Sequence, residues 1–376
     1  MQKNNFVLLT TIFILILLII QFLNFFNLNS IYNFNYSLHD LKWSGSHLFL
    51  KDENVYELYL NNPLDDKIIG SQYPNYSIAS IYFHLPLGFL SLKSTGIVWI
   101  FFSSILVLHI YKIFQNIDLE VENKNLIIFL SMVFLVLSKP FNSVISSGNF
   151  SIVCFWAFTF FFLGKKNNIF ISLFLSSIKY SFAPILFFYS FIKKDFLQIF
   201  LVFLLTGILL IHYSYKFNLN LIELIYTPII IGKASSASGF LDLQTLLGNH
   251  PENTFLKYSL LFLSGFFIFF KIFKNTNRSK LFDLCLVSFV TLLVFKHLYY
   301  DMIFLLPILI YSFRFKINRR IPIIIIIFYF WFISYSEMFE SIKYLKLFML
   351  FNNFLLIICF ALILNFSKKI KNKLNI

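Results

Sequence analysis

The stretch Ile321–Phe332 reads IPIIIIIFYFWF, and the stretch Ile12–Ile20 reads IFILILLII. Continuous apolar runs of this kind recur along the chain, and many approach the roughly 17–25 residues that cross a hydrocarbon core. The composition agrees, since 59% of the residues are hydrophobic, 13% are charged and the mean hydropathy is +0.78. Because the runs do not alternate between apolar and polar residues, they favour helices over a barrel. We therefore expect an all-α polytopic membrane protein.

The net charge of +14 comes mainly from lysines and arginines in short segments between the apolar runs. This placement is typical of membrane topology signals and argues against a nucleic-acid partner. Basic clusters mark the cytoplasmic side, so we expect both termini in the cytoplasm and about twelve helices in a multi-pass protein of the cell membrane. The clusters are Lys165-Lys166, Lys193-Lys194, Lys271 to Lys280, Arg314 to Arg320 and Lys368 to Lys373.

One membrane domain is expected to occupy residues 1–376, with two long extracytoplasmic loops at 28–77 and 216–253 that contribute to a functional site. The first loop contains two predicted amphipathic helices, at Lys42–Leu50 and Asn54–Leu60. The run Ile78–Leu92 contains His84 and Pro86, so we expect it to lie at the outer interface or to enter the membrane without crossing. The N-terminal run lacks a small-residue cleavage site, which favours an uncleaved first helix.

Residues 168–192 lie between two lysine pairs that both belong on the cytoplasmic side. One helix would place the pairs on opposite faces, whereas two short helices with a turn near Lys179–Ala183 keep both pairs inside. Pro184 suits the start of the second helix. Each helix would have about 12 residues, or roughly 18 Å, so the turn requires a thinned bilayer or a polar cavity lined by protein. This hairpin carries Lys179 to the outer face.

The unusual polar residues gather on that outer face. A carboxylate such as Asp40 can remove a proton from a hydroxyl, although Asp40 is equally suited to cap the helix Lys42–Leu50. A lysine near the membrane interior, such as Lys179, needs an anionic partner or must extend its ammonium to the interface. Asn149 lies at a predicted helix start, where it can bind a ligand or simply cap the helix.

The segment Lys296–Asp301 reads KHLYYD and groups a cation, an imidazole, two phenols and a carboxylate. His297 and Asp301 can orient a substrate or bind a metal, although the metal signal is weak without another histidine-rich motif, and the aromatic residues can belong to an interfacial belt only. No metal site and no cofactor are predicted, because the three cysteines lie in apolar runs with no CxxC spacing and no neighbouring histidine. The chain also lacks a phosphate-binding loop, which argues against nucleotide hydrolysis.

The order of these features resembles the GT-C superfamily of glycosyltransferases, and most closely glycosyltransferase family 87, which uses polyprenyl-phosphate mannose. The resemblance covers roughly residues 5–320 and departs from the family pattern at Asn149, where the family has glutamine, and at Tyr73-Pro74, which keeps one proline of two. The matching positions are Asp40, Gly45, Val55-Tyr56, Tyr73-Pro74, Leu85-Pro86-Leu87, Gly148-Asn149-Phe150-Ser151, Lys165-Lys166, Ile178-Lys179, Leu243-Gln244-Thr245 and Tyr300 to Pro307.

The resemblance implies a GT-C-like helical bundle that transfers a sugar from a polyprenyl-phosphate donor to a lipid or glycan acceptor, with inversion, on the extracytoplasmic face. It implies that Asp40 is the general base and that Lys179 binds the donor phosphate. Further substrate contacts are expected from Trp43, Tyr73, Asn149, Gln244, His297, Tyr300 and Asp301. The donor, the acceptor and membrane lipids are the expected partners.

Two other functions fit the composition. A transporter or flippase for a lipid-linked saccharide would place functional polar residues on both faces or at the midplane and would show internal symmetry, neither of which we find in the sequence. A polysaccharide polymerase or ligase that uses a lipid-pyrophosphate donor would carry arginines in a large outer loop. The four arginines of this chain are instead predicted on the cytoplasmic side.

Overall fold

A computed structural model describes residues 8, 10–20, 38–69, 72–164, 168–234, 278–294, 297–334 and 342–374. Every regular element in these ranges is a helix, which confirms the all-α prediction. Gln244, which is predicted to contact substrate, lies outside the described residues, as do residues 235–253 of the second predicted outer loop.

The α-helices are numbered in chain order over the described ranges. They are α1 (Thr10–Ile20), α2 (Trp43–Leu50), α3 (Val55–Asn61), α4 (Ala79–Gly88), α5 (Leu92–Gln115), α6 (Lys124–Leu137), α7 (Lys139–Ser147), α8 (Ser151–Leu163), α9 (Ile169–Ile178), α10 (Ala183–Ile192), α11 (Phe196–Phe217), α12 (Leu221–Ala234), α13 (Lys280–Val294), α14 (Leu306–Ser312), α15 (Ile317–Phe328) and α16 (Ile342–Leu374). A 3-10 helix, Tyr299–Leu305, leads directly into α14, and a π-helix, Tyr329–Ile333, continues α15.

Within the described ranges, three helical segments are long and apolar enough to cross a membrane: α5, α11 and the part of α16 from Leu347 to Phe366. The pair α6 and α7 adds a fourth span if it is counted as one helix, although it is bent by 57°. The break falls at Ser138, whose backbone is extended and whose hydroxyl accepts from the N–H of Phe141 in the first turn of α7 at 3.3 Å. Only 11% of the apolar stretch in α11 is buried within the protein. Its side chains are therefore available to lipid tails.

The chain divides into two compact units. The first unit comprises residues 1–110 and 142–237. In this unit the predicted short helices of the first outer loop are confirmed, with boundaries shifted by one residue. They pack together with α4 and the C-terminal part of α11. The buried cluster that joins these elements consists of Leu48, Phe49, Val55, Tyr56, Tyr59, Ile68, Ile78, Ile81, Tyr213, Leu224 and Ile231.

The hairpin predicted between the two lysine pairs is present in the first unit. Helices α9 and α10 have 10 residues each, and Lys179 to Phe182 form the turn between them. Pro184 occupies the first turn of α10, as expected. At about 15 Å each, these helices are too short to cross a bilayer alone. Helix α4 is equally short and contains Pro86, in agreement with a segment that does not cross.

The second unit comprises residues 111–141 and 238–376. Its described core is built around α13, most of whose side chains are buried. The indole of Trp331 donates to the carbonyl of Met302 at 2.9 Å and so ties the π-helix to the 3-10 helix. The hydroxyl of Tyr329 donates to the amide oxygen of Asn352 at 3.0 Å and ties α15 to α16.

Candidate functional site

The segment 38–42 crosses the C-terminal end of α7 and is fixed there by backbone hydrogen bonds. The N–H of Leu38 donates to Ser146 at 2.9 Å, and the N–H of Asp40 donates to Ser147 at 2.8 Å. The buried side chain of Gln72 adds a clamp, because it donates to Leu38 at 2.9 Å and accepts from the N–H of Ser44 at 2.7 Å. The backbone of Asp40 therefore has a defined position before any ligand binds.

Gly148 permits this close crossing. Its φ of +70° lies in the left-handed region, and a Cβ at this position would come within 2.7 Å of the Cβ of Leu41. Any residue with a side chain would meet both backbone strain and a steric clash. Gly148-Asn149, which the sequence predicts as a helix start, is therefore the point where segment 38–42 contacts the end of α7.

Asn149, the next residue, joins the two ionisable groups singled out in the sequence. Its amide nitrogen donates to the carboxylate of Asp40 at 2.8 Å. Its amide oxygen accepts from the ammonium of Lys179 at 3.4 Å. Residues separated by 109 and 30 positions along the chain thus meet at one buried amide. The structure therefore brings Asp40, Asn149 and Lys179 together within the first unit.

Lys179 reaches this point from the turn of the α9–α10 hairpin. Its side chain is buried, its ammonium donates to the hydroxyl of Ser151 at 2.7 Å, and it lies 4.9 Å from the centre of the Phe182 ring. The first outer loop also contacts the hairpin, since the N–H of Ser77 donates to the carbonyl of Ile178 at 3.1 Å. The ammonium is thus directed toward Asn149 and the start of α8.

The capping alternatives are now resolved. Asp40 does not cap α2, because the N-cap residue of that helix is Lys42 and no side chain makes a capping hydrogen bond there. Asn149 does cap α8, since its amide oxygen accepts from the N–H of Ser151 at 2.8 Å. This capping bond fixes the orientation of the amide, and the amide nitrogen is thereby directed at Asp40. The same amide of Asn149 therefore caps α8 and holds Asp40 in the site.

The carboxylate of Asp40 is the exposed edge of this network, with 14% of its side chain accessible. Burial alone would raise its pKa, but Lys42, His39, the Asn149 amide and Lys179 together outweigh burial and lower the pKa below 3.8. Asp40 is therefore ionised at neutral pH and available as a hydrogen-bond acceptor or a base. A group that both reaches solvent and lies beside cations is suited to bind and deprotonate a hydroxyl.

Lys42 belongs to the same site and was not selected from the sequence. It is 4% exposed, and its ammonium lies 3.5 Å from the carboxylate of Asp40 and 4.4 Å from the centre of the Tyr76 ring. Its φ of 54° turns the chain back at the start of α2. In the sequence, Lys42 looks like the polar edge of an amphipathic helix, and no local signal indicates that it is buried.

The aromatic residues expected to stack on sugar make internal contacts. The indole N–H of Trp43 donates to the carbonyls of Leu87 and Leu90, both at 3.1 Å, and its ring stacks on His47 at 4.4 Å. Tyr73 is half-buried and packs edge-on against Tyr59 at 5.2 Å. Trp43 thus fastens α2 to the end of α4, and sugar stacking by either residue stays a prediction.

His297 and Asp301 form a buried pair in the second unit. The His297 ring contacts the Asp301 carboxylate through Nδ1 at 2.8 Å and the carbonyl of Thr291 through Nε2 at 2.9 Å. Both ring nitrogens face oxygens, so each of these two contacts needs one proton. Either the ring carries both protons, or the Asp301 carboxyl carries the proton between it and Nδ1. Tyr300 is also buried. The substrate roles predicted for His297, Tyr300 and Asp301 remain predictions.

Among the described residues no group of three or more histidine, cysteine, aspartate or glutamate side chains is placed to hold a metal ion. Comparison of the chain with protein-family models, with curated proteins and with solved structures found no match. The resemblance to glycosyltransferase family 87 therefore rests on the sequence motifs alone, and function must be inferred from the geometry around Asp40.

Proposed function

We propose that this chain is a polytopic membrane glycosyltransferase with about twelve transmembrane helices and a GT-C-like arrangement. It transfers a sugar, most simply a hexose such as mannose, from a polyprenyl-phosphate donor to a lipid or glycan acceptor on the extracytoplasmic face. The proposal is supported above all by the amide of Asn149, which contacts both the carboxylate of Asp40 and the ammonium of Lys179.

The chemistry of an inverting transfer needs a base and an anion-binding group on opposite sides of one reacting carbon. Asp40 accepts the proton of the acceptor hydroxyl, whose oxygen attacks the anomeric carbon. The bond from that carbon to the phosphate oxygen breaks, and its electron pair stays on the phosphate. Lys179 stabilises the charge that develops there. Asn149 holds the two side chains at a fixed separation before substrate binds.

The donor lipid also explains why these groups lie in such an apolar chain. A polyprenyl tail requires an apolar surface, whereas its phosphate requires a cation close to that surface. Lys179 meets this need, because it stands at the turn of a hairpin whose two short helices are rich in phenylalanine, leucine and isoleucine. The buried ammonium donates to the hydroxyl of Ser151 and to the amide oxygen of Asn149, so the cation is held at the start of α8.

The test is sugar transfer by membranes that contain the full chain. The membranes are incubated with labelled polyprenyl-phosphate mannose or glucose and a total lipid extract, and glycolipids are separated by chromatography. The native chain should form a new labelled glycolipid. Asp40→Asn should reduce the rate by about 10²–10⁴-fold, the range that a general base contributes.

Asp52→Asn is the matched control, because Asp52 belongs to the same outer segment and pairs on the surface with Lys216. It should leave transfer unchanged. Near-native transfer by the Asp40→Asn chain would refute the assigned base. The absence of labelled product from the native chain with both donors would count against the proposed function itself.

A further inference from the structure

Lys42 is a buried cation to which the reaction described above assigns no part. An ammonium has three N–H donors, and burying it is costly unless those donors are satisfied. Over the described ranges, its one hydrogen-bonding contact is the carboxylate of Asp40 at 3.5 Å, which is the outer limit for such a bond. The face of the Tyr76 ring, 4.4 Å away, supplies a second, weaker attraction. Lys42 thus retains capacity for an anion.

The charges around Lys42 also favour the binding of an anion. Burial lowers the pKa of Lys42, Asp40 opposes that shift, and the charge on Lys179 adds to it. Asp40 contacts Lys42 directly and is joined to Lys179 through the amide of Asn149, so the two ammonium groups share one carboxylate. A negatively charged group that enters beside Asp40 would offset the cost of burying both ammonium groups.

We propose that Lys42 is a second contact for the donor phosphate and transfers its interaction from Asp40 to the leaving phosphate during catalysis. This inference rests on the proposed function. It extends that function by identifying the polyprenyl monophosphate product as the species that the site binds with two lysines.

The charge balance of the reaction supports the exchange. Before transfer, Asp40 and the phosphodiester donor each carry one negative charge, and the acceptor hydroxyl is neutral. Afterwards Asp40 is protonated and neutral, the glycoside product is neutral, and the phosphate is a monoester with two negative charges. Lys42 therefore loses its carboxylate partner in the same step in which the phosphate gains a charge. An interaction that strengthens during the step accelerates it.

The test is binding of farnesyl phosphate to the purified full chain in lipid nanodiscs, with farnesol to measure the contribution of the tail. Lys42→Gln should weaken farnesyl phosphate binding by about ten-fold or more, as expected for loss of a buried charged contact. Lys42→Arg should retain most of the affinity. Asp40→Asn should strengthen binding, because it releases Lys42 from its carboxylate partner. Farnesol binding should not change in any variant.

Lys67→Gln provides the control for general surface charge, since Lys67 lies on the same outer segment but is exposed and paired with Glu53. It should bind farnesyl phosphate as the native chain does. Size-exclusion chromatography and thermal unfolding establish that each variant is folded. If Lys42→Gln alone does not fold, the Asp40→Asn/Lys42→Gln double variant, which removes both charges, replaces it and is compared with Asp40→Asn.

Two results would overturn the inference. One is native affinity for farnesyl phosphate in the Lys42→Gln chain. The other is a loss of farnesyl phosphate affinity that Lys42→Gln causes in the native chain but not in the Asp40→Asn chain. Lys42 would then act only as the counter-ion of Asp40. Binding does not depend on sugar transfer, so a chain that binds through Lys42 but forms no glycolipid would refute the glycosyltransferase while leaving the phosphate contact intact.

Discussion

At the scale of single residues, the site depends on the amide of Asn149. The amide nitrogen holds Asp40 at 2.8 Å, while the amide oxygen accepts from Lys179 and from the first N–H of α8. An aspartate or leucine of similar size could not do both, because an ionised carboxylate only accepts hydrogen bonds and a leucine side chain makes none. This explains how a carboxylate and an ammonium can lie close together without forming a direct ion pair that would occupy both.

The pH dependence of activity should report this arrangement. Because the neighbouring cations and the Asn149 amide lower the pKa of Asp40 from its ordinary value, the base is ionised throughout the neutral range, and activity should fall only as pH drops through that lowered pKa. Asn149→Asp replaces the donor with a second carboxylate and should raise the pKa of Asp40, moving the acidic fall in kcat/KM upward by about one unit or more.

Asn220→Asp is the control for this measurement, since Asn220 caps α12 at an exposed position where aspartate caps equally well. Its pH profile should match that of the native chain. The free energy of unfolding of the native chain should also fall at acidic pH. A carboxyl with a lowered pKa stabilises the fold at neutral pH and loses that contribution as pH falls through the lowered value. An unchanged acidic limb in Asn149→Asp would contradict the role given to Asp40.

The sequence identified part of this site and missed part of it for physical reasons. Asp40 and Lys179 attract notice because an ionisable group beside an apolar run needs a partner. Lys42 does not, because its neighbours predict an exposed helix edge. Its ammonium lies over the ring of Tyr76, which is far along the chain, and its backbone has a left-handed conformation. No local pattern contains that information.

At the scale of elements, the loop that carries Asp40 is held against α7 at a single glycine. Gly148→Ala should destabilise the fold by about 1–3 kcal/mol, because the residue must keep a positive φ and its Cβ must displace Leu41. It should also reduce sugar transfer, since Asp40 moves relative to Asn149. Thermal unfolding and the transfer assay, carried out on the same preparation, measure both effects.

Gly207→Ala is the matched control for this substitution. Gly207 lies in α11, and nothing is within 4 Å of a Cβ built there. Alanine should therefore preserve transfer and favour the helix by about 0.5–1 kcal/mol. Equal free energies of unfolding for the Gly148→Ala and Gly207→Ala chains would show that Leu41 of segment 38–42 does not pack closely against Gly148.

The helical elements were more predictable than the site. The α9–α10 hairpin was predicted from two lysine pairs that the charge pattern assigns to the same face, together with Pro184 at the start of the second helix. The bend between α6 and α7 was not predicted, because the apolar run simply ends near Lys139 and gives no indication of the 57° change in direction. Charge determines which ends lie together, whereas bends depend on packing that a hydropathy pattern does not record.

At the scale of the whole molecule, the described residues contain three or four segments that meet the length of a membrane span, against about twelve helices expected from charge and hydropathy. Part of the difference comes from the short helices α9 and α10, which lie close to the candidate site, and part from residues outside the described ranges. Short helices that do not cross a bilayer bring polar turns to the level of a lipid head group. They are the elements that a lipid-phosphate enzyme requires.

The central claim is that a polyprenyl-phosphate sugar binds with its phosphate at Lys179 and its anomeric carbon facing Asp40. An electron cryomicroscopy structure of the full chain in nanodiscs with that donor measures this directly, with the Asp40→Asn chain used to prevent turnover. A phosphate oxygen should lie about 2.8 Å from the ammonium of Lys179, as in a charge-assisted hydrogen bond. A donor phosphate bound elsewhere, or a Lys179 ammonium separated from Asn149, would contradict the account.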